Sequence, residues 1–278
     1  MKTAITLSLL PSKPTMPFVL GPDLDQGFKL AAELGFDAIE IFPPTLDSLD
    51  MPKLQDLVQQ HSLPISTIGT GGGAVAQGLT LTDSDEGVRR DAIQYIKAII
   101  DHAAQFGGSA IIGSMQGKCL NRDRQQVVQW FAESMATLDA YAAQRQQVLL
   151  YEPLNRYETD LFNRVGQACQ FLTAQKLSNT KVLADLFHMN IEETCINQSL
   201  TDNLDQIGHV HFVDSNRWPA GKGHTDLAAA FQTLKSAGYN GYLAVEAYPL
   251  PDQVAAAEQA ANYFKQWSAS TTAFAKRI

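Results

Sequence analysis

Four side chains of the kinds that bind cations, Glu152, Asp185, His211 and Glu246, stand at or just after short apolar runs: VLLY, VLA, HVHFV and YLAV. They are separated by 33, 26 and 35 residues, close to the roughly 30 residues of one strand–helix–strand unit. One polar residue ending a strand reads as a helix cap or a loop hydrogen-bonder. Four of them at the same point of successive units are harder to attribute to capping. Three carboxylates gathered away from water are costly unless a cation or protons compensate, so the set points to one divalent metal. Three carboxylate oxygens and an imidazole suit Mn²⁺, with Mg²⁺ or Co²⁺ as alternatives, better than a thiolate-selected ion.

Residues so far apart meet only if a scaffold repeats its geometry. Eight apolar runs qualify as strands: Ala4–Leu9, Ala38–Ile41, Ile65–Ile68, Ala110–Ile112, Val148–Tyr151, Val182–Ala184, Val210–Val213 and Tyr242–Val245. They are apolar throughout, as parallel strands buried on both faces should be. The stretches between them carry helical periodicity. Val88, Ala92, Ile96, Ile99, Ala103 and Phe106 mark one face, with Asp83 or Ser84 as its cap and Gly107–Gly108 as its end. Val128, Phe131, Met135, Leu138 and Ala142 mark another; Leu24–Leu34 should stop at Gly35, and Leu227–Leu234 before Gly238. This alternation predicts an α/β fold, a single (β/α)8 TIM barrel spanning residues 1–278, whose C-terminal mouth would gather the four ligands.

The loops after the ligands carry further polar groups. Glu152 opens YEPLNRYETD, with Asn155, Arg156 and Glu158; Asp185 opens DLFHMN, which places His188 three residues on. His211 leads into VDSNRWPAGKGH, with Arg217 and Trp218. Lys118 and Arg122 could hold a substrate carboxylate or phosphate, or cap a solvated helix start. Thr70-Gly71-Gly72-Gly73 reads as a flexible loop or an anion cradle, without the Lys-Ser/Thr of a nucleotide loop. His209 shares strand parity with His211 and reads as a deeper barrel histidine with a partner. His224 reads equally as site or loop, and His61 and His102 as surface positions on helices.

A net charge of −8 argues against a nucleic-acid partner. Cys119, Cys169 and Cys195 lack metal-binding spacing and read as isolated thiols, which suits a reducing, cytoplasmic compartment. No run approaches the ~18 apolar residues of a membrane span, and the first apolar run, ended by Pro11, reads as a strand rather than a signal peptide. Self-association is left open.

YEPLNRYETD, ADLFHMNIEE, HFVDSNRWPAGKGHTD and VEAYPLP, with TIGTGGG at 67–73, resemble the signatures of the xylose-isomerase-like sugar isomerases and epimerases. The likeness is nearest to the ketose 3-epimerases of the D-tagatose 3-epimerase type and to relatives acting on keto-uronates such as 5-keto-L-gluconate. The resemblance implies a sugar or sugar acid as substrate, with Glu152, Asp185, His211 and Glu246 holding the metal. It also implies that Glu152 and Glu246 form the acid–base pair, that His188 and Arg217 hold substrate oxygens, and that Glu158 supports a catalytic glutamate. The stretch GSMQGKCLNR, with Lys118 and Arg122, departs from the 3-epimerase pattern. Such a pair of carboxylates removes a proton beside a carbonyl and returns one to the opposite face, through an enediolate. Aldose–ketose isomerisation and keto-polyol dehydration share that enediolate, while an abasic-site nuclease on the same barrel would need more metal ligands.

Overall fold

The computed structural model describes residues 1–10 and 15–274. Eight parallel strands, β1 (Lys2–Ser8), β2 (Ala38–Phe42), β3 (Ile65–Gly69), β4 (Ser109–Ile112), β5 (Leu149–Tyr151), β6 (Thr180–Asp185), β7 (Ile207–His211) and β8 (Tyr242–Val245), close into a barrel in chain order. β8 pairs back onto β1, Ala244 opposite Ala4. The expected TIM barrel is therefore the fold. Around it lie α1 (Leu24–Leu34), α2 (Met51–His61), α3 (Gly71–Gln77), α4 (Glu86–Ala104), α5 (Arg124–Gln144), α6 (Val165–Ala174), α7 (Leu186–Glu192), α8 (Ile196–Asn203), α9 (Leu227–Ser236) and α10 (Gln253–Phe274).

Alternate residues of each strand serve two cores. Ile5, Leu7, Ile39 and Ile41 face outward and join Phe28, Ala31, Leu54 and Leu57 of the helices in one continuous cluster. Ala4, Ala38 and Ala244 meet in a small inner cluster, and Ile111, Leu150 and Leu183 form another. Above the alanines, Thr6 stands opposite Glu40, and Glu40 opposite Thr67. Burial on both sides of the wall explains why the strands read as unbroken apolar runs.

Aspartates start the helices. The side chains of Asp23, Asp50, Asp123 and Asp226 each accept a backbone N–H from the first turn of α1, α2, α5 and α9. The cap of α4 is Asp85, not Asp83 or Ser84; Asp83 instead accepts the N–H of Asp85 at 2.9 Å. Gly35 closes α1 at φ +84°, as its position predicted.

Seven strands fall within two residues of their predicted limits. β7 does not: it pairs from Ile207 and ends at His211, three residues before the expected start and two before the expected end. Gly208 and His209 interrupt the apolar signal there, while Phe212 and Val213 are buried beyond the paired segment. The triple glycine after Thr70 is the first turn of α3 rather than a loop. No helix among the described residues is long and apolar enough to cross a membrane.

Candidate active site

The scaffold brings Glu152, Asp185, His211 and Glu246 together. Asp185 and His211 are the last residues of β6 and β7, paired in register, while Glu152 and Glu246 follow β5 and β8 by one residue. All four are buried, and one ligand atom from each lies within 4.8 Å of the others. His211 Nδ1 is 3.5 Å from Glu152 Oε1, from Asp185 Oδ2 and from Glu246 Oε2. Atoms bound to a common divalent ion at about 2.1 Å stand roughly 3.0–3.4 Å apart, so little movement is needed. Neither Glu152 Oε1 nor His211 Nδ1 has a hydrogen-bond partner among the described residues. These are donor atoms aimed at a common point, and they fit a cation.

The electrostatics agree. Burial pushes the Glu152 carboxyl above its ordinary value, and Glu246 adds to the push against the opposing pull of His211. Burial also works on Glu246, but the Arg217 guanidinium and His211 outweigh it and hold that carboxyl low. Asp185 is carried well below the carboxylate range, against its burial, by His188, His211 and Arg217. His211 is raised, against burial, by Glu246 and Glu40.

Asp185 divides its two oxygens between two tasks. Oδ1 accepts the N–H of Phe187 at 2.7 Å and caps α7, while Oδ2 faces His211 and Arg217, each at 3.5 Å. One carboxylate thus caps the helix with one oxygen and faces the cluster with the other.

Three of the four predicted substrate-binding residues line the same cavity, which has a volume of about 400 Å³. His188, carried by α7, is buried and points Nε2 toward Glu152 Oε1 at 3.8 Å and Asp185 Oδ2 at 3.7 Å. The backbone N–H of Asn155 donates to its Nδ1 at 3.3 Å, which leaves Nε2 as the N–H facing the cavity. Arg217 stacks 4.7 Å above the Phe187 ring and pairs with Glu246. Its backbone is held at φ +59°, in the left-handed region. Glu158 is exposed; it accepts from Asn155 Nδ2 at 2.8 Å and lies 3.8 Å from both His188 and Arg217.

Lys118 is not brought to this cavity. It is exposed, donates to the Tyr157 carbonyl at 3.4 Å and lines a neighbouring groove with Leu120 and Tyr157. Arg122 spends its guanidinium on the carbonyls of Cys119, Thr82 and Lys118, tying its own loop together. Arg156 turns outward to Glu192, with two contacts of 2.9 Å. His224 is exposed on its loop, whereas His61 and His102, both on helices, are partly buried.

Several contributors escaped sequence reading. Glu40, fully buried on β2, contacts His209 Nε2 at 2.5 Å and His211 Nε2 at 3.2 Å, and accepts from Thr67 Oγ1 at 2.9 Å. Its signal was a lone charge inside AIEIF. Gln116 donates to the Glu152 carbonyl at 3.0 Å, and Tyr151 donates to Gln116 at 2.9 Å. Gly113 makes room: a Cβ there would stand 2.8 Å from Glu152 Oε2. Asp214 accepts the N–H groups of Ser215, Gly221 and Thr225 at 2.8, 3.0 and 3.0 Å, and so folds the loop that presents Arg217.

Comparison with known proteins agrees with this geometry. The chain belongs to the xylose isomerase-like TIM barrel family, whose model matches residues 28–267. It is 29% identical over 232 residues to 3-dehydro-D-guloside 4-epimerase of Escherichia coli strain K12, covering 79% of this chain and 85% of that one. It is 27% identical over 226 residues to L-ribulose 3-epimerase of Methylomonas sp. strain DH-1, covering 78% and 76%. The crystal structure of 3-keto-D-glucoside 4-epimerase from E. coli shares the fold, with a TM-score of 0.78 at 24% identity over 95% of this chain and 98% of that one.

Proposed function

We propose that this protein is a metal-dependent carbohydrate epimerase that inverts a carbon beside the carbonyl of a keto sugar. The observation that carries this reading is a pair of buried carboxylates facing one cavity with opposite environments, Glu152 pushed toward its protonated form and Glu246 toward its ionised form. Carboxylates set apart in this way serve as acid and base. The names of the relatives, epimerases of keto sugars, point the same way.

Glu152, Asp185, His211 and Glu246 would hold the ion, with Mn²⁺ expected and Mg²⁺ or Co²⁺ as alternatives. A bound divalent ion would supply Lewis-acid polarisation of the carbonyl. Ionised Glu246 takes the proton from the carbon beside the carbonyl, and protonated Glu152 returns one to the opposite face; the reverse reaction exchanges their roles. The Nε2–H of His188 donates to a substrate oxygen. Arg217 steadies Glu246 as the ionised base and offers its guanidinium edge to the sugar. The reading that Lys118 and Arg122 hold a substrate carboxylate or phosphate finds no support in the cavity lining, which includes neither, so a neutral ketose or ring ketone is the better candidate.

Metal-loaded protein mixed with ketoses, ring-keto sugars, keto-uronates and sugar phosphates in D2O, followed by NMR, tests the reading. Deuterium should enter beside the carbonyl with formation of the epimer. Exchange with none of these sugars refutes it.

A further inference from the structure

β4 and β5 lie side by side with Ile112 opposite Tyr151, and the N–H of Glu152 donates to the Ile112 carbonyl at 3.0 Å. A parallel ladder continues with evenly spaced bonds, so the next rung would bring a backbone N–H to the Glu152 carbonyl. That rung is missing. At Gly113 the chain turns away, with φ −105° and ψ −100°, into a short 3-10 turn, Ser114–Gln116. Among the described residues no backbone N–H reaches the Glu152 carbonyl. The side chain of Gln116 does, with Nε2 donating at 3.0 Å.

Both ends of this amide are occupied. Nε2 also donates to the Gly113 carbonyl at 2.9 Å, and Oε1 accepts from the Tyr151 hydroxyl at 2.9 Å. Carbonyl oxygens can only accept, so the neighbours decide which end of the amide is nitrogen. The backbone of Gln116 is pinned as well, its carbonyl accepting from Thr82 Oγ1 at 2.9 Å and its N–H donating to Gly113 at 3.1 Å. Gln116, Tyr151 and Thr82 are all fully buried, and a buried carbonyl stripped of its donor is costly.

The two glutamates are thus held differently. Glu246 pairs with the Arg217 guanidinium through its own carboxylate. Glu152 Oε1 has no hydrogen-bond partner among the described residues, and Oε2 lies against Gly113, where a Cβ would stand 2.8 Å away. The carboxyl of Glu152 is therefore placed from behind, through its backbone.

We propose that Gln116 is a positioning residue for Glu152, whose side-chain amide replaces the missing ladder bond and sets where the Glu152 carboxyl stands in the cluster. Its consequence for proton transfer rests on the epimerase reading; the seating rests on the hydrogen bonds alone.

Gln116→Met, close in volume and without the donor, tests this in the full-length protein, with a cooperative thermal melt as the control for folding. Should it fail to fold, Tyr151→Phe, which deletes one hydroxyl and frees the amide to turn, takes its place. The first measurement needs no sugar. Calorimetric titration with Mn²⁺ should show affinity about 10- to 100-fold below wild type, the scale of losing an outer partner of a metal ligand. The second, at saturating Mn²⁺, follows in D2O a sugar that the wild type epimerises. Inversion should slow by about 10- to 100-fold with KM nearly unchanged. Deuterium entering the starting sugar with retained configuration, the work of Glu246 alone, should fall much less, whereas a general loosening of the fold would lower both in proportion. Wild-type Mn²⁺ affinity together with a wild-type ratio of retention to inversion, in a folded variant, overturns the proposal even if the sugar is epimerised; a change in either upholds it. Weaker Mn²⁺ binding by the variant, with no deuterium exchange in any sugar by the wild type, upholds the seating and overturns the epimerase reading.

Discussion

His211 Nε2 lies 3.2 Å from Glu40 Oε2, while Nδ1 on the other side of the same ring lies 3.5 Å from each of three carboxylate oxygens. A carboxylate held against one ring nitrogen orients the imidazole and directs its other nitrogen at the three carboxylates. Glu40→Gln keeps the shape and removes the charge. Metal affinity should fall by about 10- to 100-fold, with the barrel still formed. Calorimetric titration with Mn²⁺ and a far-UV circular dichroism spectrum check both parts; unchanged affinity would show that Glu40 serves packing alone.

Removing a ligand should separate the site from the fold. Asp185→Asn or His211→Ala should lose bound metal and turnover while the apolar clusters around the barrel keep it folded. Metal analysis after dialysis and a thermal melt check this. Full turnover by metal-free protein contradicts it.

The two glutamates should show one-sided exchange. Glu152→Gln or Glu246→Gln should slow net inversion by about 10² to 10⁴-fold, the scale of one general acid–base group. In at least one variant, deuterium should still enter the starting sugar with its configuration retained. Metal occupancy is the control, because loss of the ion would stop both processes. Near wild-type inversion by both metal-loaded variants would leave the glutamates as ligands only and turn attention to His188.

The loop bearing Arg217 should have its own pH dependence. Burial works to raise the Asp214 carboxyl, but backbone N–H groups from Gly223, Ser215, Thr225 and Gly221 outweigh it and hold its pKa below the unfolded value. A depressed acid stabilises the fold above the unfolded pKa of about 3.9 and loses that contribution as pH falls through the folded value. The Tm difference between wild type and Asp214→Ala should therefore shrink as pH drops from about 5 toward 3. At neutral pH the variant should raise KM more than it lowers kcat. A pH-independent Tm difference would assign the loss to packing.

The barrel and the cluster at its mouth were legible because both repeat: apolar strands recur, and Glu152, Asp185, His211 and Glu246 close successive units. Glu40 was visible as a charge in an apolar run, but nothing local says that its partner is a histidine on β7. Gly113 and Gln116 had no signal, since their value depends on how β4 and β5 lie side by side. Lys118 illustrates the opposite case. Its charge suggested a substrate acid, yet charge does not give direction, and the side chain lies outside the cavity. Asp185 shows why a cap and a site residue could not be told apart by sequence: a carboxylate has two oxygens, and here one caps α7 while the other faces His211.

The division of the mouth among the described residues, with charged side chains after β5 to β8 and only uncharged ones after β1 to β4, matters for redesign. Substitutions in the first half of the barrel can reshape what is recognised while the reacting groups keep their places. Substitutions in the second half change the chemistry itself. A library confined to positions such as Phe18, Pro43 and Val75 could therefore explore new sugars without rebuilding the cluster of Glu152, Asp185, His211 and Glu246, and its variants could be ranked by binding alone before any turnover is measured.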